Sequence, residues 1–263
     1  TPCTPSVDFT RLDGPALRVG WSGLEFFDAI DPDLLHDSHA AVLAAFPTAT
    51  PVNLSQALRW SPAAFLSFRG MFFRDSLTRD GVGFKPEITW NCTVGDAARE
   101  LGQNWRDALD RTRAGLAAAL ENCDVICTPA LATPAFDSTL RYPCLDTARP
   151  GAEAYLHWMW PSWLFSATLS PVAVVTCGLG RQGMPVPVQV VGRYGEELAV
   201  LRACKALQDR FPPLPVVDPQ QGAHPLPQHR GPRTAEEARA CHDATDPRGL
   251  LKEYWRAGMA GAL

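Results

Sequence analysis

The chain has 263 residues, enough for one large domain with a sizeable core, and is 46% hydrophobic and 20% charged, the proportions of an ordinary soluble globular protein. A net charge of −4 offers no basic face for nucleic acid and no polybasic membrane patch. No apolar run approaches the length of a membrane span and no signal peptide is visible, although residue 1 is Thr rather than Met.

Residues 1–16 are polar and proline-containing and read as a linker into a first strand, LRVGWS, Leu17–Ser22. Asp31-Pro32-Asp33 then opens a helix, with an acidic cap, Pro in the first turn and apolar spacing through Leu35, Val42 and Phe46. Pro47 stops it, and ATPVNL, Ala49–Leu54, reads as a second strand, giving a strand–helix–strand unit. From Ser55 to Leu77 the pattern is helical, and Leu58, Phe65, Phe68, Phe72 and Phe73 form an apolar stripe expected to pack the core.

A loop over FKPEITWN, Phe84–Asn91, precedes one long amphipathic helix, Asp96–Asn122, with Leu101, Trp105, Leu109, Leu116 and Leu120 on one side. CDVICTPALATPAF, Cys123–Phe136, reads as a buried strand ending in a proline-rich loop, and the stretch carrying RYPCLD and YLHWMWPSWLF as irregular. Val-rich runs at Val172–Thr176 and Val186–Val191 flank CGLGRQGMP, whose three glycines permit a tight turn, so the pair reads as neighbouring strands. Both runs are almost wholly apolar, which suits a sheet covered on both faces. EELAVLRACKALQDRF, Glu196–Phe211, is an amphipathic helix; residues 212–263 are a proline-rich tail with one or two short helices. Strands interleaved with helices give an α/β fold: a mixed β-sheet flanked by helices.

Chemistry-bearing residues are sparse. GxSxG is absent, and a Ser–Lys pair would have to use Lys85, Lys205 or Lys252, the chain's three lysines. Lys205 and Lys252 read as solvated surface charges, leaving Lys85 the only one in a functional-looking loop. His36 and His39 share a helix face without a third zinc ligand; His224, His229 and His242 are scattered in the tail, and His157 lies among aromatics. No metal site, phosphate loop or dinucleotide fingerprint is present, so no cofactor is expected. Of eight cysteines, Cys123, Cys127, Cys177 and Cys204 lie in or beside apolar runs; buried, reduced thiols in a cytoplasmic protein are the expectation.

In order, FKPEITWN, CDVICTPALATPAF, RYP, YLHW, TLSPVAVVTCGLGRQGMPVPVQVVGR and EELAVLRACKALQ resemble the C-terminal half of the amidase signature family, over residues 17–211. The resemblance implies hydrolysis of carboxamide C–N bonds by a Ser–cis-Ser–Lys triad in a Gly/Ser-rich region. Nothing here matches that region, and the segment from Thr1 resembles the part of the family just downstream of it. The nucleophile is therefore expected upstream of residue 1, and no catalytic residue is carried over. The chain alone is expected to be inactive. Two positions depart from the family pattern: Leu169 stands for a Gly and Thr176 for a Pro. A Leu where the backbone needs φ > 0 would be strained.

The resemblance also places Trp90, Asn91, Thr128, Trp158 and Ser170 near the acyl side of the substrate, around one open, mainly apolar concavity. Amidotransferase A subunits, related to this family, carry a carboxylate-binding Arg where this chain has Trp90 and Asn91. A small uncharged amide, aromatic or aliphatic, therefore suits Trp90, Trp158 and Trp160 better. Uncovered strands predict self-association. A non-catalytic scaffold derived from an amidase and an amidotransferase A-subunit-like component are the competing readings.

Overall fold

A computed structural model of the chain describes residues 12–24, 30–77, 84–102, 104–143, 145, 152–166, 168–214, 233–243 and 246–260. The linker over residues 1–11, the proline-rich run 215–232 and His224 and His229 lie outside these described residues.

Strand β1 (Val19–Trp21), helix α1 (Pro32–Ala45) and strand β2 (Thr50–Pro51) form the expected parallel strand–helix–strand unit. The Asp31 carboxylate accepts from Leu34 N at 2.9 Å, and Pro lies in the first turn, so the sequence signals of this helix start act as read. Strand β3 (Val125–Pro129) runs parallel to β1, while the hairpin of β4 (Val172–Leu179) and β5 (Pro185–Gly192) adds antiparallel to β3. The result is one mixed sheet in the order β2-β1-β3-β5-β4, flanked by helices.

Each face of the sheet carries its own core. Val19, Val125, Cys127, Val188 and Val190 pack on one face against α1 and against Val200, Ala203, Cys204 and Leu207 of α8 (Glu197–Arg210). On the other face Ile126 and Val191 meet the core formed by α2 (Ser55–Leu58), α3 (Ser61–Leu77), α4 (Pro86–Glu100) and α5 (Trp105–Ala119). The short helices α6 (Ala152–His157) and α7 (Trp160–Trp163) contribute Leu156, Trp160 and Trp163 to that core. Two tail helices, α9 (Ala235–Asp243) and α10 (Pro247–Ala260), return to the body, and Leu250, Leu251 and Tyr254 of α10 are buried in the same core.

Five expectations need correction. FKPEITWN is not a loop: Pro86 starts α4 within it, Pro at a first helical position being compatible with the missing N–H. The single helix over 96–122 is two, α4 and α5, separated at Gly102, whose φ of +61° leaves the helical region. The YLHWMWPSWLF stretch is helical rather than irregular. The hairpin is covered on both faces only along β5. As the sheet edge, β4 turns Val175 and Cys177 inward but leaves Val174 55% exposed, because among the described residues no helix lies over that face. Of the apolar stripe expected to pack the core, Leu58 and Phe65 are buried, whereas Phe68 and Phe72 are exposed, Phe72 by 57%.

Candidate substrate-facing site

Three sequence landmarks far apart along the chain meet in one polar cluster. Glu87, in the first turn of α4, is buried and receives both Nε (2.5 Å) and Nη2 (3.0 Å) of Arg141 from the RYP segment. An acidic side chain there also faces the positive end of the helix dipole. These bonds hold the Arg141 guanidinium more firmly protonated than usual. One turn on, Asn91 is wholly buried; its amide donates to the Glu87 carbonyl at 2.6 Å, and its Oδ1 accepts from Arg69 Nε at 3.1 Å. Arg69 Nη2 donates to the Tyr155 hydroxyl at 2.7 Å, which brings in the YLHW helix. Tyr155 in turn meets Tyr142 edge-on, ring centroids 6.0 Å apart.

The helices meet this closely because glycines face each other where α3 crosses α4: a Cβ on Gly70 would lie 2.8 Å from the Asn91 carbonyl oxygen. Arg69 is flanked at i−4 and i+4 by Phe65 and Phe73, and its guanidinium lies 5.7 Å and 4.9 Å from their ring centroids. Sequence reading did not single out Arg69, although this helical spacing of aromatics around it is a local signal. Glu87, Arg141 and Tyr155 had no such local signal. The ground for an uncharged surround at Asn91 is removed, since a cation from α3 bonds its side chain directly.

Trp158 is half-buried beside this cluster: its ring meets Phe136 edge-on at 5.4 Å, and its carbonyl accepts from Ala132 N at 2.9 Å, tying it to the loop after β3. Trp90 is buried in the helical core. Thr128, fully buried on β3, accepts from Gln189 Nε2 at 3.0 Å, and that amide also donates to the Pro161 carbonyl at 3.0 Å. The Thr128 hydroxyl donates to the Pro129 carbonyl. Its place is a joint that pins α7 to the sheet, and satisfied buried polar groups of this kind fix one arrangement.

Ser170 stands elsewhere, on a cavity of about 540 Å³ between α5 and the loop before β4. Arg113, Ala117, Leu120, Leu169 and Arg193 help to line it; Trp90, Asn91, Thr128 and Trp158 do not. Arg193 donates to the carbonyls of Leu120 and Cys123 beyond the end of α5, which satisfies carbonyls a helix terminus leaves open. Leu169 has a left-handed backbone, with φ of +62° and 61% exposure, a conformation that strains an L-residue.

Reactive groups are muted. Cys92, Cys123, Cys127, Cys177 and Cys204 are free and buried. Burial pushes the thiols of Cys177 up to about 12 and Cys204 up to about 11, and raises Cys127 further. They are poor nucleophiles near neutral pH. No group of residues able to hold a metal ion occurs among the described residues, and no helix among them is long and apolar enough to cross a membrane.

Similarity to known proteins agrees with this architecture. Residues 35–201, more than half of the chain, match the sequence model of the Amidase family. The chain is 26% identical over 201 residues to the A subunit of the glutamyl-tRNA(Gln) amidotransferase of Desulforapulum autotrophicum, covering 72% of this chain and 39% of the relative. It is 27% identical to the corresponding Zymomonas mobilis protein, covering 76% and 43%. Among solved structures it superimposes on a 6-aminohexanoate cyclic dimer hydrolase with a TM-score of 0.62 at 17% identity, over 80% of this chain and 49% of that one. A crystal structure of an amidase aligns with a TM-score of 0.57 at 22% identity, over 76% and 47%. The chain thus spans less than half the length of these proteins. By sequence match over most of its sheet and helices, it belongs to the amidase family.

Proposed function

We propose that residues 1–263 are a substrate-facing portion of a carboxamide hydrolase and do not themselves supply the Ser–Ser–Lys chemistry. The observation that carries this reading is the setting of the three lysines. A lysine acting as base must be neutral, which burial achieves and a carboxylate partner opposes. Lys85 and Lys252 are exposed. Lys205 is bonded to Asp209 at 2.5 Å, and that bond raises its pKa.

On this reading residues 17–211 are the amidase portion, 1–16 a lead-in linker and 212–263 an added tail whose helices brace α4. The substrate is a small amide with an aromatic or aliphatic acyl part, which half-buried Trp158, edge-on to Phe136, supports. No cofactor takes part, nucleic acid and membrane are not partners, and the free buried thiols suit a reducing, cytoplasmic setting. A second reading, an A-subunit-like component of an amidotransferase assembly, is favoured by the glutamyl-tRNA(Gln) amidotransferase relatives.

Fluorophosphonate labelling of the purified chain, read by mass spectrometry, tests the proposal. No serine of residues 1–263 takes up the label if it holds; stoichiometric labelling of one serine in the folded chain overturns it.

A further inference from the structure

We propose that Arg69 anchors a carboxylate-binding site, taking an acidic group on the acyl part of the amide; this deepens, and rests on, the hydrolase reading. Arg69 is half-buried, and its guanidinium is walled by the rings of Phe65, Phe73 and Tyr155, the last 5.8 Å from it. Two bonds fix the plane of the fork: Nε to Asn91 Oδ1 and Nη2 to the Tyr155 hydroxyl. The Asn91 amide is itself oriented by its bond to the Glu87 carbonyl.

Three described acids of α3 and α4 have cationic partners of their own. Glu87 pairs with Arg141, Asp96 with Arg74 and Asp75 with Arg99. Among the described residues Arg69 has no carboxylate partner, and its Nη1 makes no hydrogen bond. A guanidinium cannot shed its proton to escape a partly desolvated position. A cation held rigid, with Nη1 unbonded among the described residues and neutral partners on its other nitrogens, is set up to receive an anion. Aromatic walls favour a carboxylate on an apolar stem over a phosphate, which needs more donors than one fork edge provides.

The test is titration of the whole chain, with ¹⁵N-labelled arginine, by sodium phenylacetate at ionic strength held constant with NaCl. The arms are phenylacetamide and inorganic phosphate; affinity is read by calorimetric titration in the parent and every variant, and the Nε–Hε signal of Arg69 reports the contact in the parent chain. Saturable phenylacetate binding is expected, at least about tenfold tighter than phenylacetamide or phosphate, since a charge-assisted pair is lost in the amide. Arg69→Gln abolishes the preference, Arg69→Lys retains part of it with the charge and stem intact, and Arg106→Gln, at an exposed arginine stacked on Trp105, changes nothing; circular dichroism checks the fold of each. Absence of saturable binding, equal affinity for acid and amide, tighter phosphate binding, or unchanged phenylacetate affinity in folded Arg69→Gln overturns the site. Because no turnover is measured, these outcomes are independent of whether the chain takes part in hydrolysis.

Discussion

Gly70 of α3 and Gly95 of α4 face each other so closely that a Cβ on Gly95 would lie 2.5 Å from the Gly70 carbonyl carbon and oxygen. Backbone rather than side chain occupies that space, so nothing flexible can yield. Gly95→Ala is therefore expected to force the helices apart and to destabilise the fold by about 1–3 kcal/mol, against any gain from better helix propensity. Urea unfolding checks the loss. An unchanged or raised midpoint would mean that the crossing is looser than these distances.

Leu169 offers the opposite case. Its left-handed φ costs about 1–2 kcal/mol in an L-residue, and its exposed side chain loses little apolar burial when removed. Leu169→Gly is expected to raise stability by up to about 1 kcal/mol after the added freedom of the unfolded glycine chain. Leu169→Ala, which keeps the Cβ, brings no such gain. Thermal melts of the two variants, side by side, make the comparison.

Arg141→Ala would leave the buried Glu87 carboxylate without its bidentate partner. Removing one member of a buried pair typically costs about 3–5 kcal/mol; the partial exposure of Arg141 places the expected loss at the lower end. Arg141→Lys keeps charge but not the fork and should recover part of it. Denaturant midpoints of both variants test the order.

Among the described residues nothing covers the outer face of β4 at Val174, which predicts self-association. Val174→Lys puts a charge on the exposed edge strand, one of the devices by which natural edges avoid pairing. Sedimentation velocity should show less association for the variant than for the parent chain. A parent that stays monomeric at high concentration contradicts this expectation.

The buried thiols set a limit on alkaline stability. Their folded pKa values are raised, so stability is intact below the unfolded thiol pKa of about 9 and falls as pH rises above it, where the unfolded chain has released protons that the folded chain retains. Cys177 and Cys204 should each cost roughly 2 kcal/mol by about pH 10.5. The steepness of that fall should lessen in Cys177→Ala, measured by urea unfolding from pH 8 upward.

Local chemistry made much of this fold legible. Asp31-Pro32 announced α1, the glycines of CGLGRQGMP announced the β4–β5 hairpin, and both stand where the sequence puts them. The start of α4 was hidden because Lys85 offers no side-chain cap, leaving Pro86 as the lone signal. Cover over β4 was misjudged because an apolar run looks the same at a sheet edge as at its centre. At the site, Asn91 and Trp158 could be named from motif resemblance, whereas their surroundings could not. The Arg69–Asn91 and Arg141–Glu87 bonds span 22 and 54 residues, and no periodicity reports which distant charges will meet.

Hydrolysis of simple carboxamides tests the central claim most directly, measured for the chain alone and together with a separately expressed polypeptide carrying the Gly/Ser-rich Ser–cis-Ser–Lys segment of an amidase. No turnover above buffer is expected from the chain alone. The mixture is expected to turn over, and to stop doing so when the nucleophilic serine of the added polypeptide is changed to alanine. Turnover by residues 1–263 alone, lost on changing one of their own serines to alanine in a folded variant, would contradict the claim.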